Sequence, residues 1–206
     1  MMRKPKLREL GEAVRAVIKG PYTVRFPFAP PEVMETFRGK PEFVEEKCVG
    51  CGACAEVCPA GAIQRVDDTA AEPPVRRFEL HYDACIFCGQ CVLNCTTGEG
   101  IKQTTEFDLA AFDRAECVHR LEKELVVCEV CGGVVGTVDH LRWVARRVGP
   151  KGYANPNLIL IAHSELDLTD EAISPRPDQQ PYRRADIMRF LCPRCRRAVI
   201  VREVWG

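Results

Sequence analysis

The feature that most constrains this chain is a repeat of cysteines. Residues 48–63, CVGCGACAEVCPAGAI, and residues 85–101, CIFCGQCVLNCTTGEGI, align with an offset of 37 positions and carry C-x2-C-x2-C-x3-C twice. Three thiols so closely spaced wrap one loop around one compact object. The fourth, three residues further on at the start of a helical turn, points away from that object and in a two-copy arrangement completes the other copy's site. The pattern predicts two 4Fe–4S clusters, the first held by Cys48, Cys51, Cys54 and Cys95, the second by Cys85, Cys88, Cys91 and Cys58. Such sharing pins both halves together, so a module with little apolar core is expected to be stable only with its metal. Gly50, Gly52 and Gly89 suit loops whose N–H groups approach sulfur closely.

The copies differ after the fourth cysteine. Pro59 follows Cys58, whereas Thr96 follows Cys95, and the second copy is one residue longer before its isoleucine, Ile101 against Ile63. Thr96 is expected to cap the turn through its hydroxyl. The hydrogen bonding around the cluster that Cys95 completes should therefore differ from that of its partner.

Thirteen cysteines raise the alternative of a disulfide framework. The opening MMRKPKLREL leads into an amphipathic stretch without an apolar h-region, and the cysteines fall in C-x2-C pairs, so a cytoplasmic, metal-binding chain is expected instead. No run of 18 apolar residues is present to span a membrane. A further set, Cys128 and Cys131 in CEVC with Cys192 and Cys195 in CPRC, forms two matching knuckles about sixty residues apart. Four thiolates suit tetrahedral zinc with no open position, hence a structural site. Rubredoxin-type iron takes the same four-sulfur geometry and is the alternative. Gly132 and Gly133 after the first knuckle, with Arg194, Arg196 and Arg197 around the second, fit a zinc-ribbon-like extension.

Formal net charge is zero but unevenly spread, with nine Lys/Arg against four Asp/Glu over residues 1–40 and six against fourteen over 41–116. A dedicated nucleic-acid binder would show a basic excess, so no nucleic-acid partner is expected. The acidic middle and basic flanks suit a chain that docks on other proteins.

The expected architecture is α+β in three parts. Residues 1–43 hold an amphipathic helix (Leu7, Leu10, Val14 and Val17 at helical spacing, near Lys4, Lys6 and Arg8) and a docking arm with five prolines, without regular structure. The arm's Tyr22, Phe26, Phe28, Phe37 and Phe43 are expected to be buried against something. Residues 44–107 form a bacterial two-cluster ferredoxin-like module in which AIQRVDD and VRRFELHYD are strands around the turn TAAEPP. Residues 108–206 form the extension. There, 108–124 is expected to be helical through Leu109, Phe112, Ala115 and Leu121. DHLRWVARRVG reads as a helix, NLILIAHS as a buried strand, and LTDEAISPRPDQQPYRRAD as a polar loop.

With FRGKPE (37–42) before the first motif, CIFCGQC (85–91), and QTTEFDLA (103–110) after the second, the chain resembles the two-cluster ferredoxin-type subunit of respiratory complex I and of membrane-bound nickel–iron hydrogenases. The closer resemblance is to the formate hydrogenlyase (hydrogenase-4 type) subunit. That branch carries a C-terminal C-x-x-C…C-P-x-C, matched here by CEVC and CPRC, which ordinary complex I subunits lack. The resemblance covers residues 1–131 and 190–206. It implies a non-catalytic electron-transfer subunit of a multi-subunit, membrane-associated hydrogenase or formate hydrogenlyase-like complex, held peripherally on the cytoplasmic side of the inner membrane. Thr96 departs from the family's proline.

Two rivals are a complex I-like quinone oxidoreductase subunit and a free soluble two-cluster ferredoxin; the aromatic arm speaks against the second. A third is a regulatory protein that binds nucleic acid through the ribbon. Cys117 is expected to be a small buried residue, an extra ligand with His119 being the alternative. His81, His119, His140 and His163 show no ligand spacing, and no nucleophile–base arrangement stands out.

Overall fold

Between the cysteine motifs apolar and charged residues alternate, and both runs are strands. In the computed structural model, which describes residues 7–20, 23–165 and 188–205, β2 (Ile63–Asp68) and β3 (Val75–His81) pair antiparallel, from Ile63 opposite Leu80 to Asp68 opposite Val75. The Asp68 carboxylate accepts the Ala70 and Ala71 N–H groups, each at 3.1 Å, and so starts the TAAEPP turn.

β3 has a second partner. Residues 118–127 are strand β5 (Val118–Val127), with a short 3-10 turn at Arg114–Cys117 before it, so the helix expected over 108–124 is not formed. Period two wins there. Leu121 and Leu125 point inward, while Arg120, Glu122 and Glu124 point out. The register sets Glu122 opposite Arg77 and Arg120 opposite Glu79, and both pairs form ion pairs, at 2.7 and 2.8 Å. With β6 (Val134–Thr137) added, the four-stranded sheet runs β2-β3-β5-β6, all antiparallel.

A separate ribbon joins β1 (Pro41–Phe43) to β4 (Ile101–Gln103). The short helices α2 (Ala53–Glu56) and α3 (Gln90–Leu93) each begin one residue before the third cysteine of their motif and carry it. Phe43, Ala62, Ile63, Phe78, Leu80, Ile101 and Leu121 form the core of this region, with cysteines of both motifs packed around it.

The extension is largely helical. α4 (Val138–Val148) lies where a helix is expected. NLILIAHS, expected as a strand, is helix α5 (Pro156–Glu165). Pro156 sits at its first position, and the Asn155 side chain accepts the Asn157 N–H at 3.0 Å, a helix-start signal stronger than the apolar run. The last helix, α6 (Pro193–Trp205), begins inside the second knuckle. CEVC lies in the β5–β6 connection, but CPRC opens a helix, where a ribbon would have a second turn between strands. The polar loop expected over 168–186 lies outside the described residues, as do Lys4, Lys6 and Tyr22.

The chain divides into two units, Met1–Phe37 and Arg38–Gly206. The first contains α1 (Leu7–Lys19), in which no residue is buried, and a stretch from 23 to 37 without helix or strand. Phe26, Phe28 and Phe37 are exposed, which corrects the expectation of burial; of the arm's described aromatics only Phe43 is buried. It belongs to the second unit.

One buried charge ties the sheet together. Arg76 points inward from β3 and is 7% exposed; its guanidinium bonds both oxygens of Asp67, at 2.6 and 2.9 Å, and the Gly50 carbonyl at 2.9 Å. Replacing Arg76 by Met leaves that carboxylate and carbonyl without their partner, and should cost about 2–3 kcal/mol in unfolding of the metal-loaded chain. The hydrogen bond from Arg76 holds the Asp67 carboxyl below its usual range. Its stabilisation is thus complete above about pH 4 and is lost as pH falls through the lowered value. Asp67→Asn should remove that contribution to the acid limb of a stability-versus-pH curve.

Candidate metal centres

The two cysteine motifs build two loops of the same shape. Their third positions, Gly50 and Phe87, have φ of 67° and 54°, and their fifth positions, Gly52 and Gly89, have φ of 87° and 76°. Both fifth-position glycines cap the short helix that follows. Phe87 is the one described non-glycine residue at positive φ, a left-handed conformation that costs an L-residue about 1–2 kcal/mol. The second loop is therefore held in shape by its surroundings rather than by local preference.

Folding interleaves the motifs. One cavity is lined by Cys48, Cys51, Cys54 and Cys95, and walled by Phe43, Phe78 and Ile101. Another is lined by Cys58, Cys85, Cys88 and Cys91, and walled by Ile63, Leu80 and Phe87. Each thus takes three sulfurs from one motif and the fourth from the other.

The electrostatics suit a cationic core. Burial, and then the neighbouring sulfurs of Cys48 and Cys51, push the Cys54 thiol up to about 12. Burial likewise raises Cys91 to about 11, assisted by Cys85 and Cys88 against the N–H of Val92. Buried sulfurs this close repel one another as thiolates, so a fully ionised set of four needs a positive centre among them. An iron–sulfur cluster supplies one, and four thiolates on a small apolar cavity are its usual donor set. The residues fit the group.

Different parts of the chain support the two loops. Over the second, residues 39–43 and 101–106 lie side by side. The Gly39 N–H donates to the Thr104 carbonyl at 2.9 Å, Thr104 donates from N–H and hydroxyl to the Lys40 carbonyl, and the Gln103 amide donates to the carbonyls of Gly39 and Phe87. Gly39 must be glycine, because a Cβ there would collide with the Glu106 backbone. Arg38 donates to the Cys88 carbonyl at 3.4 Å.

The first loop is held by the sheet and the extension. Fully buried Thr137 donates to the Val49 carbonyl and accepts the His140 N–H that caps α4. Lys123 on β5 donates to the Glu45 carbonyl at 2.7 Å and pairs with Asp139 at 2.9 Å. A Cβ on Gly50 would stand 2.9 Å from Thr137 Cγ2 and 3.1 Å from Lys123 Cβ, so this contact excludes any larger residue.

Thr96 does not cap its turn. Its hydroxyl lies 3.2 Å from Cys51 Sγ, across in the other motif. The cap is Thr97, whose Oγ1 accepts the Gly100 N–H at 3.0 Å and lies 3.4 Å from Cys95 Sγ. Burial raises the Cys95 thiol, but the Thr97 hydroxyl and the N–H groups of Thr97, Gly100 and Gly98 outweigh it and leave it below its usual value.

In the extension, the sulfurs of Cys128, Cys131, Cys192 and Cys195 all lie within 4.8 Å of one another. Cys128 is fully buried and Cys131 exposed. Burial raises the Cys128 thiol, yet the N–H groups of Cys192, Cys131 and Val130 bring it down to about 7, which favours a thiolate ligand. The approach to Cys192 is fixed by two side chains. Buried Asn157 bonds the Leu191 backbone on both sides, its Nδ2 donating to the carbonyl at 2.9 Å and its Oδ1 accepting the N–H at 3.1 Å. Glu129 accepts the Phe190 N–H and the Arg189 Nε, each at 2.8 Å. His119 is structural: its Nδ1 accepts the Phe43 N–H at 3.3 Å and its ring stacks on Phe43.

Arg76, Lys123, Thr97, Thr137, Asn157 and Glu129 are supporting residues that a reading of motifs passes over. Of these only Thr137 carries a local signal, as a capping residue immediately before a helix.

Interleaved four-sulfur cavities on a ferredoxin-like fold define a double-cluster iron–sulfur protein. Residues 47–99 match the 4Fe–4S dicluster domain family. NADH-quinone oxidoreductase subunit I 2 of Geobacter metallireducens is 32% identical over 127 residues, covering 59% of this chain and 96% of that protein. Formate hydrogenlyase subunit 6 of Escherichia coli is 36% identical over 119 residues, covering 57% of this chain and 64% of that one. NAD(P)H-quinone oxidoreductase subunit I of Gloeobacter violaceus is 31% identical over 99 residues, and there the chain spans about half of its relative, 47%. A chain in the structure of the membrane-bound sulfane sulfur reductase, an archaeal respiratory membrane complex, superimposes with a TM-score of 0.40 at 27% identity, covering 57% of this chain and 62% of that one. This chain belongs to the family of two-cluster ferredoxin-type subunits that includes NADH-quinone oxidoreductase subunit I and formate hydrogenlyase subunit 6.

Thr137→Val keeps the shape of the first loop's support but leaves the Val49 carbonyl buried without a donor. It should cost about 1–3 kcal/mol. In hydrogen exchange of the metal-loaded chain, protection should fall over residues 45–51 and stay unchanged over 85–91.

Proposed function

We propose that this chain relays single electrons through two 4Fe–4S clusters as a subunit of a membrane-associated oxidoreductase complex. The observation that carries this reading is the interleaving of the motifs, three sulfurs of one with the fourth of the other on each cavity. Cys48, Cys51, Cys54 and Cys95 ligate the first cluster, and Cys58, Cys85, Cys88 and Cys91 the second. Each cluster, when bound, accepts and releases one electron. The chain's own residues hold the loops, through Arg76, Thr137 and Lys123 on one and the β1–β4 ribbon on the other. Phe43, Phe78, Ile63 and Leu80 keep water from the sulfurs. The chain makes and breaks no bonds of a substrate, and the catalytic centre it serves lies on another subunit.

Three parts divide the labour: an arm over residues 1–43, the two-cluster module over 44–107, and an extension over 108–206. In the extension Cys128, Cys131, Cys192 and Cys195 bind one zinc as a closed structural site; rubredoxin-type iron is the alternative for the same sulfurs. Among the described residues no helix is long and apolar enough to cross a membrane. Attachment is peripheral, on the cytoplasmic face, through other subunits, a reading supported by likeness to formate hydrogenlyase subunit 6.

The complex is of the hydrogenase or formate hydrogenlyase type, supported by likeness to formate hydrogenlyase subunit 6 and by the second cysteine site. A quinone-reducing complex is the second reading, favoured by the relative matched over 96% of its length.

Anaerobic purification from the native membrane, with subunits identified and metals quantified, separates the two. A nickel-containing large subunit is expected; a quinone-reducing partner set without nickel would establish the second reading. The loaded chain should hold eight irons and one zinc. Cys95→Ala should lose about half the iron, and Cys131→Ala the zinc alone.

A further inference from the structure

We propose that the hydroxyls of Thr96 and Thr97 donate hydrogen bonds to two ligand sulfurs of the first cluster and so hold its reduction potential above the value it would have without them. The inference rests on the two-cluster reading above and adds to it two residues that set the energy of one relay site.

The geometry is specific to the second motif. The Thr97 oxygen accepts the N–H groups of Gly100 at 3.0 Å and Glu99 at 3.4 Å, so its lone pairs are engaged and its proton is left for Cys95 Sγ at 3.4 Å. The Thr96 hydroxyl reaches from one motif to the other, 3.2 Å from Cys51 Sγ. Ligated sulfur is a thiolate and accepts, so in both contacts the hydroxyl is the donor.

The equivalent positions of the first motif are Pro59 and Ala60, which have neither hydroxyl nor, at Pro59, an N–H. Among the described residues no hydroxyl hydrogen-bonds the sulfur of Cys58, Cys85, Cys88 or Cys91; the donors there are backbone N–H groups, Phe87 to Cys85 at 3.4 Å and Val92 to Cys91. The extra residue between Cys95 and Ile101 makes room for the Thr97–Gly100 turn.

One-electron reduction adds a negative charge that spreads onto the ligand sulfurs. Donors aimed at those sulfurs stabilise the reduced form more than the oxidised one and raise the potential. Lys123, close enough to Cys48 to act on its charge, works in the same direction. Arg38 approaches the second loop instead, so the inference concerns what the two hydroxyls add to the first cluster rather than the order of the two potentials. The Thr96 contact, though 3.2 Å against 3.4 Å, is exposed, and competition from water makes it count for less than the half-buried Thr97 contact.

The test is an anaerobic redox titration of the full-length, cluster-loaded chain with dithionite, followed by electron paramagnetic resonance. Iron is counted on every sample. Thr97→Val should shift the reduction equilibrium of one cluster about tenfold toward the oxidised form, a fall of about 59 mV. Thr96→Val should shift the same cluster less, and Thr96→Ser and Thr97→Ser should leave it in place. The cluster that moves should be the one whose signal Cys51→Ser alters.

The inference is overturned if the double valine variant with eight irons titrates as wild type, or if both potentials move together. It is equally overturned if the serine variants shift as far as the valine ones. Should Thr97→Val lose iron, Thr96→Val still decides, because the Thr96 hydroxyl makes no bond to the turn's backbone. Fewer than eight irons in the wild-type chain would instead remove the two-cluster reading, and this inference with it.

Discussion

Everything in the second unit depends on the crossing of the fourth cysteines. Cys58 and Cys95 each stand in the wall of the cavity that the other motif begins. Neither cavity is complete without chain from both sides of the β2–β3 hairpin, so the hairpin and the two loops fold as one object. Buried sulfurs that would repel one another as thiolates sit where a folded protein of this size would normally place hydrocarbon. The apolar residues around them are few, and most touch a cysteine.

The two halves match in backbone but not in support. The repeated φ pattern gives the loops one shape, and different neighbours maintain it. Over the second loop it is the β1–β4 ribbon, in which the two stretches flanking the motifs bond to each other. Under the first it is Arg76, Lys123 and Thr137, the last two from strands that continue into the four-cysteine site. A path of backbone therefore runs from Cys128 along β5 and β6 to the carbonyl of Val49. The extension is joined to the first loop by hydrogen bonds, that of Thr137 buried, rather than hung from it as a separate module.

The cysteine arrangement, the two strands between the motifs and the helix over 138–148 were legible in the residues, because spacing, alternation and an amphipathic period are local properties. Where reading failed, a local signal was outvoted or passed over. Over 108–124 four apolar residues at helical spacing concealed the alternation of Leu121 and Leu125 with charged neighbours, whose partners on β3 are forty residues away. NLILIAHS is apolar enough for a buried strand, but Asn155 and Pro156 mark a helix start. Thr96 lay in view as a departure from proline, yet its contact is with Cys51, which no local rule connects to it. Of the supporting polar residues only Thr137, next to a helix start, carried a local signal. Arg76 and Lys123 look like ordinary surface charges until the fold turns them toward carbonyls of another loop.

The crossing also sets a schedule for the cell. As the chain leaves the ribosome, the first three-cysteine loop emerges long before Cys95, and for that interval it has three of its four sulfurs. Nothing finished can be lodged there until some forty further residues have been made and the hairpin has turned back. A chain cut short just before Cys95 would leave the first cavity a sulfur short, while the second, which takes Cys58, would keep all four.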